Sequence, residues 1–153
     1  MRALIQRVSE GGIFIEKEKY SAEIGKGMVI LLGIKTGDTA EDVNFVADKC
    51  SNLRIFEDEN GKMNLSIKDI YGEALIISQF TLYGDTSKGN RPGFTDAARP
   101  EEAIPLYEKF IKKIKSNIGD EKVKTGKFGA MMLVKIINDG PVTLTVESKG
   151  KMI

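Results

Sequence analysis

From Met28 to Ile34 the chain reads Met-Val-Ile-Leu-Leu-Gly-Ile, short for a helix and apolar at every position. A strand with one wet face alternates apolar and polar residues. A run without alternation is expected of a strand covered on both faces. A second buried strand is expected over Ala74–Phe80. Such strands, separated by helical patterns, point to an α/β chain.

The intervening segments supply those patterns. Asp38-Thr39 has the chemistry of a helix cap, and a helix is expected from there to about Asn52, with Val43, Val46, Ala47 and Cys50 on one side and Phe45 off that face. A second helix is marked by Ala103, Leu106, Tyr107, Phe110, Ile111 and Ile114, which follow the i, i+3, i+4, i+7 rule. Pro105 is expected in its first turn, where a missing N–H costs little. Residues 2–9 and 13–20 predict a hairpin around Gly11-Gly12. Leu53–Phe56 is expected as a strand and Glu57–Gly61 as a polar turn. No repeat, linker or low-complexity stretch divides the 153 residues, so a single domain over 1–153 is expected.

Composition removes several chemistries. The chain has no histidine, which excludes Ser-His-Asp and Cys-His catalysis and nearly every zinc constellation. Its one cysteine, Cys50, cannot form an internal disulfide and fits a reducing compartment. The opening Met1–Val8 has charges inside its apolar pattern, unlike a signal peptide, and no run approaches the roughly 20 apolar residues of a membrane span. A cytoplasmic chain without metal or cofactor is expected. Lys+Arg 23 against Asp+Glu 22 announces no nucleic-acid partner globally. Locally, residues 109–127 hold seven lysines against Asp120 and Glu121. That segment suits a phosphate backbone, but charge alone favours a solvated helix and loop.

Three segments carry possible chemistry. Ser78-Gln79-Phe80-Thr81-Leu82-Tyr83-Gly84 places hydroxyls, an amide and backbone N–H groups at a strand end, where α/β folds commonly put sites. A strand that simply ends in polar residues reads the same way. Asp85–Pro100, with Lys88, Arg91 and Phe94, is long for a loop without periodicity; it suits a nucleotide or is a plain surface loop. Gly126–Met132 resembles a phosphate loop faintly but lacks the P-loop spacing and its Lys-Ser/Thr ending, so a turn entering a strand is expected, with Phe128 and Met132 as core residues. Near the end, Asn138-Asp139-Gly140-Pro141 reads as a turn between the strand runs Met131–Ile137 and Val142–Val146. An X-Pro bond is also the one peptide bond that adopts cis at a cost of only about 0.5–1 kcal/mol.

Together these stretches resemble one family. Ser78-Gln79-Phe80-Thr81-Leu82-Tyr83 and Asn138-Asp139-Gly140-Pro141-Val142-Thr143 are similar to the two motifs of the D-aminoacyl-tRNA deacylases. So are Arg2–Val8, Asn52–Asp58, Lys62–Leu65 and Thr125–Gly129, in the same order. The resemblance implies a single three-layer domain of mixed, barrel-like β-sheet with two main helices. It also implies a homodimer with active sites at the subunit interface. The implied reaction is hydrolysis of the ester joining a D-amino acid, or mischarged glycine, to the 3′-terminal adenosine of tRNA. Ser78, Gln79, Phe80 and Thr81 are the implied catalytic segment. Gly140-Pro141 is implied to be cis and to enter the partner's site, facing the substrate's chiral centre and leaving no room for an L side chain. Arg7 would help hold that orientation, and Phe128 and Met132 match positions near the terminal adenosine. Three departures stand out: Asn90 where the family often has arginine, Gly93 where serine is common, and Gly11-Gly12 for a small polar pair.

Without histidine, Thr81 has no conventional base and is far from the N-terminus, so neither a triad nor an N-terminal threonine mechanism serves it. The family picture implies instead that the ribose 2′-hydroxyl beside the ester activates water, with the backbone N–H groups of Phe80 and Thr81 binding the oxyanion. Two other classes fit the composition: a catalytically silent tRNA- or RNA-binding dimer using the 109–127 lysines, and a purely structural dimer.

Overall fold

Both doubly covered runs lie at the centre of a six-stranded mixed sheet. The structure, a computed structural model, describes residues 1–148. Its strands are β1 (Arg2–Ile15), β2 (Tyr20–Ile24), β3 (Gly27–Gly33), β4 (Phe56–Glu57), β5 (Met63–Leu65), β6 (Glu73–Ser78), β7 (Val123–Thr125) and β8 (Leu133–Glu147). Its long helices are α1 (Ala40–Asn52) and α2 (Pro100–Ile118). The central strand β3 runs antiparallel to β1 and parallel to β6, which in turn pairs parallel with β7. Strand β1 is long enough to pair with β3 through its first half and β2 through its second, while β8 runs along its other edge.

Period-two alternation divides the interior into two cores. Met28, Ile30, Leu32, Ala74 and Ile76 meet Val43, Val46, Cys50, Phe110 and Ile114 of the helical layer. On the opposite face Val29, Leu75 and Ile77 join Val8, Ile13 and Ile24, enclosed where the sheet curls over itself. The Tyr20 hydroxyl donates to the Thr125 carbonyl at 3.0 Å, so β2 closes on β7 and the sheet becomes barrel-like. Helices, central sheet and curled strands make the three layers.

The helices begin where local chemistry allows. The Asp42 carboxylate accepts from the Thr39 N–H at 2.7 Å and from its hydroxyl at 3.0 Å, fixing the entry into α1. Burial alone raises the Asp42 pKa, but those hydrogen bonds outweigh it and hold the carboxyl below its ordinary value. The expected apolar side of α1 is buried, and Phe45 is exposed with the Lys49 ammonium 5.9 Å from its ring centroid. Helix α2 starts earlier than expected. Pro100 occupies its first position, with Glu101 and Glu102 in the first turn, so Pro105 lies inside the helix. There its ring sits on the exposed face, and the hydrogen bond it forgoes is the one to Glu101. Between the helices Asn117 donates to Asp48 and Ser51, both at 3.0 Å.

Three further expectations are corrected. Gly11-Gly12 is not a hairpin turn but lies within β1, paired with Ile24 and Glu23. A Cβ on Gly11 would meet Val29 Cγ2 at 2.9 Å, so the residue is small because the curled sheet approaches it closely. The turn comes later, at the polar run Glu16–Glu18, and closes with Lys19 at φ 47°. The 53–56 strand shortens to Phe56–Glu57, which pairs with β5 around the Asp58–Gly61 turn. Phe80 is outside β6, which ends at Ser78. Among the described residues no helix is long and apolar enough to cross a membrane.

Candidate active site

Strand β6 delivers Ser78 to one wall of a cavity of about 310 Å³. Its lining also includes Leu32, Ile34 and Ile77, the segment Phe128–Met132, and Ala103 of α2. The cavity therefore gathers Ser78, Gln79, Phe80, Phe128 and Met132, from sequence positions about 50 residues apart. None of the side chains lining it is ionisable. What it offers chemically is apolar surface, one hydroxyl, one primary amide and peptide groups.

Those peptide groups are arranged by a change of backbone geometry. The Gln79 N–H donates to the Leu32 carbonyl at 2.8 Å, continuing the ladder, and the chain then tightens into a 3₁₀ turn at Phe80–Tyr83. The N–H groups of Phe80 and Thr81, at the start of that turn, make no hydrogen bond among the described residues. First-turn donors are unpaired by construction and favour negative charge. Thr81 is exposed and does not line the cavity. Its hydroxyl oxygen accepts a short hydrogen bond from the Gln79 amide. An accepted hydrogen bond withdraws lone-pair density from Oγ1, which works against nucleophilic attack.

Phe128 is set by a residue that the helical pattern assigned simply to the core. Its ring packs 5.7 Å from that of Tyr107, whose hydroxyl donates to the Ile76 carbonyl at 3.1 Å. Burial pushes the Tyr107 phenol above its ordinary pKa, keeping it a neutral donor. Phe94, from the 85–100 segment, meets Phe80 edge-on with centroids 5.2 Å apart. That segment is tied at its base by paired backbone bonds between Asp85 and Gly93, at 2.7 and 2.9 Å. Sequence periodicity contained no signal for either contact.

Gly140-Pro141 stands elsewhere in the same chain. It is not a turn between two strands: β8 passes through it and pairs with β1 on both sides. Asn138 pairs with Val8 and Thr143 with Gln6, so residues 139–142 bulge out opposite Arg7 alone. The Gly140–Pro141 peptide bond is cis, with Gly140 at φ 135°, and both residues are exposed. Arg7 is 6% exposed and has no carboxylate within ion-pair distance among the described residues. Its Nε donates to the Asp139 carbonyl at 2.9 Å and its Nη1 to the Ile55 carbonyl at 2.7 Å. A buried cation held by carbonyls alone is a costly way to fix a bulge. Val134, which lines the cavity, is separated from Gly140 by roughly 20 Å of extended chain.

The remaining candidates fall away from the cavity. Cys50 is fully buried and its thiol is pushed up to about 12 by burial, so it is no nucleophile. Of the lysines in 109–127, Lys113 pairs with Asp48 and Lys127 with Glu18. Exposed apolar side chains include Met131 at 89% and Phe80 at 57%, which line the cavity, and Leu133 at 73% with Phe14 and Ile137 at 45% on strands β8 and β1.

The family described as D-Tyr-tRNA(Tyr) deacylase matches residues 4–147. The chain is 52% identical over 151 residues to a D-aminoacyl-tRNA deacylase of Flavobacterium psychrophilum, covering 99% of each chain. It is 55% identical over 149 residues to one of Clostridium novyi, covering 97% of this chain and 98% of that protein. Among solved structures it is similar to a c-Myc DNA unwinding element binding protein, at TM-score 0.91 and 40% identity, over 98% of this chain and 100% of that one. A probable eukaryotic D-amino acid tRNA deacylase shares the fold at TM-score 0.84 and 17% identity, over 96% of this chain and 98% of that one. The chain belongs to the D-Tyr-tRNA(Tyr) deacylase family.

Proposed function

We propose that this protein is a D-aminoacyl-tRNA deacylase that hydrolyses the ester between a D-amino acid, or glycine, and the 3′-terminal adenosine of tRNA. The observation that carries the reading is the cavity at the end of β6, lined without one ionisable side chain. Ester hydrolysis there has to draw its proton transfer from the substrate. The ribose 2′-hydroxyl, adjacent to the ester, activates the attacking water. The Phe80 and Thr81 N–H groups receive the charge that develops on the carbonyl oxygen, a contribution typically worth about 10²–10³ in rate per donor. Phe128 and Met132 hold the adenosine.

Chirality is read by a second copy. Two protomers associate through the exposed apolar surface around Phe14, Phe80, Met131, Leu133 and Ile137. The partner's Gly140 and Pro141 then enter the cavity mouth, with Arg7 of the same subunit holding the bulge. Because only the α-carbon region is crowded, many D side chains and glycine are accepted, and an L side chain is refused by steric exclusion. The reaction is cytoplasmic and requires no cofactor.

A test follows from the Thr81 hydroxyl. Thr81→Ala is expected to keep its rate on D-tyrosyl-tRNA within about tenfold, well short of the 10⁴-fold or greater loss that removing a covalent nucleophile brings. Complete loss of turnover in a folded variant that still binds tRNA would overturn the substrate-assisted mechanism.

A further inference from the structure

Asn138 sits at the neck of the Gly140-Pro141 bulge and does more than begin a turn. Its Oδ1 accepts the Val142 N–H at 3.0 Å, and its Nδ2 donates to Thr143 Oγ1 at 3.1 Å. One side chain thus spans the bulge, joining the last paired residue before it to the bulge's final residue, Val142, and to Thr143, where pairing resumes. Thr143 Oγ1 lies 3.4 Å from Gln6 Nε2, which links the clamp to the neighbouring strand β1. On the entering side Arg7 holds the Asp139 carbonyl at 2.9 Å. Gly140 and Pro141 are therefore suspended between two fixed points.

We infer that Asn138 is a positioning residue for chiral discrimination: its amide sets how far Gly140-Pro141 projects, and so how tightly the α-carbon of the substrate is crowded. This rests on the proposed function, in which that bulge is the chirality filter. An amide makes both contacts at once without adding charge. Val142 is buried at 8% exposure, so its N–H needs an acceptor, while Thr143 is offered a donor by the same group. Alanine supplies neither partner. Aspartate keeps the acceptor, cannot donate from Oδ, and adds a charge beside Asp139.

The experiment measures deacylation of D-tyrosyl-tRNA and L-tyrosyl-tRNA in parallel for wild type, Asn138→Ala and Asn138→Asp, together with amide hydrogen exchange at Val142 in the wild type. Leaving one buried amide unpaired is expected to lower the D-to-L rate ratio by about 10–100-fold in Asn138→Ala, through a rise in L-hydrolysis. Asn138→Asp should lie between it and wild type. A ratio unchanged within twofold in a folded Asn138→Ala dimer overturns the inference. Rapid exchange of the Val142 amide in the wild type overturns it too, and needs no variant to fold. A wild type that cleaves neither substrate defeats the functional reading instead, while slow Val142 exchange would still establish the clamp.

Discussion

A D-tyrosyl-tRNA ending in 2′-deoxyadenosine should be hydrolysed at least about 10²-fold more slowly than the ordinary substrate, because a positioned proton-transfer group contributes about 10²–10⁴. The expectation rests on what the cavity lacks. A protein base would have to reach the ester from the lining, and that lining holds only Ser78, Gln79 and apolar groups beside its peptide units. Serine without a base is a weak nucleophile, and the Gln79 amide is committed as a donor to Thr81. The 2′-hydroxyl is the remaining oxygen adjacent to the carbonyl. Binding should be little affected, since the adenine and the amino acid keep their contacts. Single-turnover rates at saturating enzyme separate the two effects: the rate constant should fall while half-saturation stays nearly constant. A deoxy substrate cleaved at the ordinary rate would return the proton transfer to the protein and leave this cavity without an agent for it.

The second large effect is expected at Gly140. It stands at φ 135°, a backbone region that residues with a Cβ rarely enter. A Cβ placed there would also lie 2.8 Å from Val142 Cγ2 and 2.9 Å from Arg7 Nη2. Neither contact relaxes easily, because Val142 is buried and Arg7 is anchored at both Asp139 and Ile55. Gly140→Ala should therefore cost about 1–3 kcal/mol of stability and displace the bulge as a unit. The functional loss should be larger than the stability loss suggests: the D-to-L rate ratio should fall by about 10²-fold, since a displacement near 1 Å is enough to open space beside an α-carbon. Thermal unfolding and paired D- and L-deacylation rates check both parts. A variant with intact selectivity would move the filter to another element.

The parts of this fold that were legible in the sequence are those whose burial is local. Helix α2 declares its apolar stripe, and β3 its double coverage, within one window of residues. Asp38-Thr39 announces the entry to α1, and the contact that fixes it there, Thr39 to Asp42, spans only three residues. Gly11 misled because the cause of its smallness is remote: Val29 approaches it from β3, outside any local window of sequence. The bulge misled for a related reason. Asn-Asp-Gly-Pro is turn chemistry, but whether the flanking strands fold back on each other or both pair with a third strand is decided by β1, more than 120 residues earlier. Pro105 was placed in a first turn because the apolar periodicity begins at Ala103, whereas the backbone helix starts at Pro100 on residues that face solvent.

The site divides in the same way. Ser78–Thr81 was visible as polar residues ending an apolar strand. The convergence of that segment with Phe128 and Met132 is tertiary, and Tyr107, which braces Phe128, was hidden inside a helical stripe that any core would show. Arg7 is legible only through resemblance. Its neighbours in sequence, Gln6 and Val8, belong to an ordinary strand pattern, and its partners Ile55 and Asp139 lie 48 and 132 residues away.

Stereospecific deacylation is read by incubating the purified protein in parallel with D-tyrosyl-tRNA and L-tyrosyl-tRNA and following release of the amino acid over time. D-tyrosine should be released catalytically while L-tyrosyl-tRNA decays no faster than in buffer. Binding of both without release of either, or release of both at comparable rates, would contradict it.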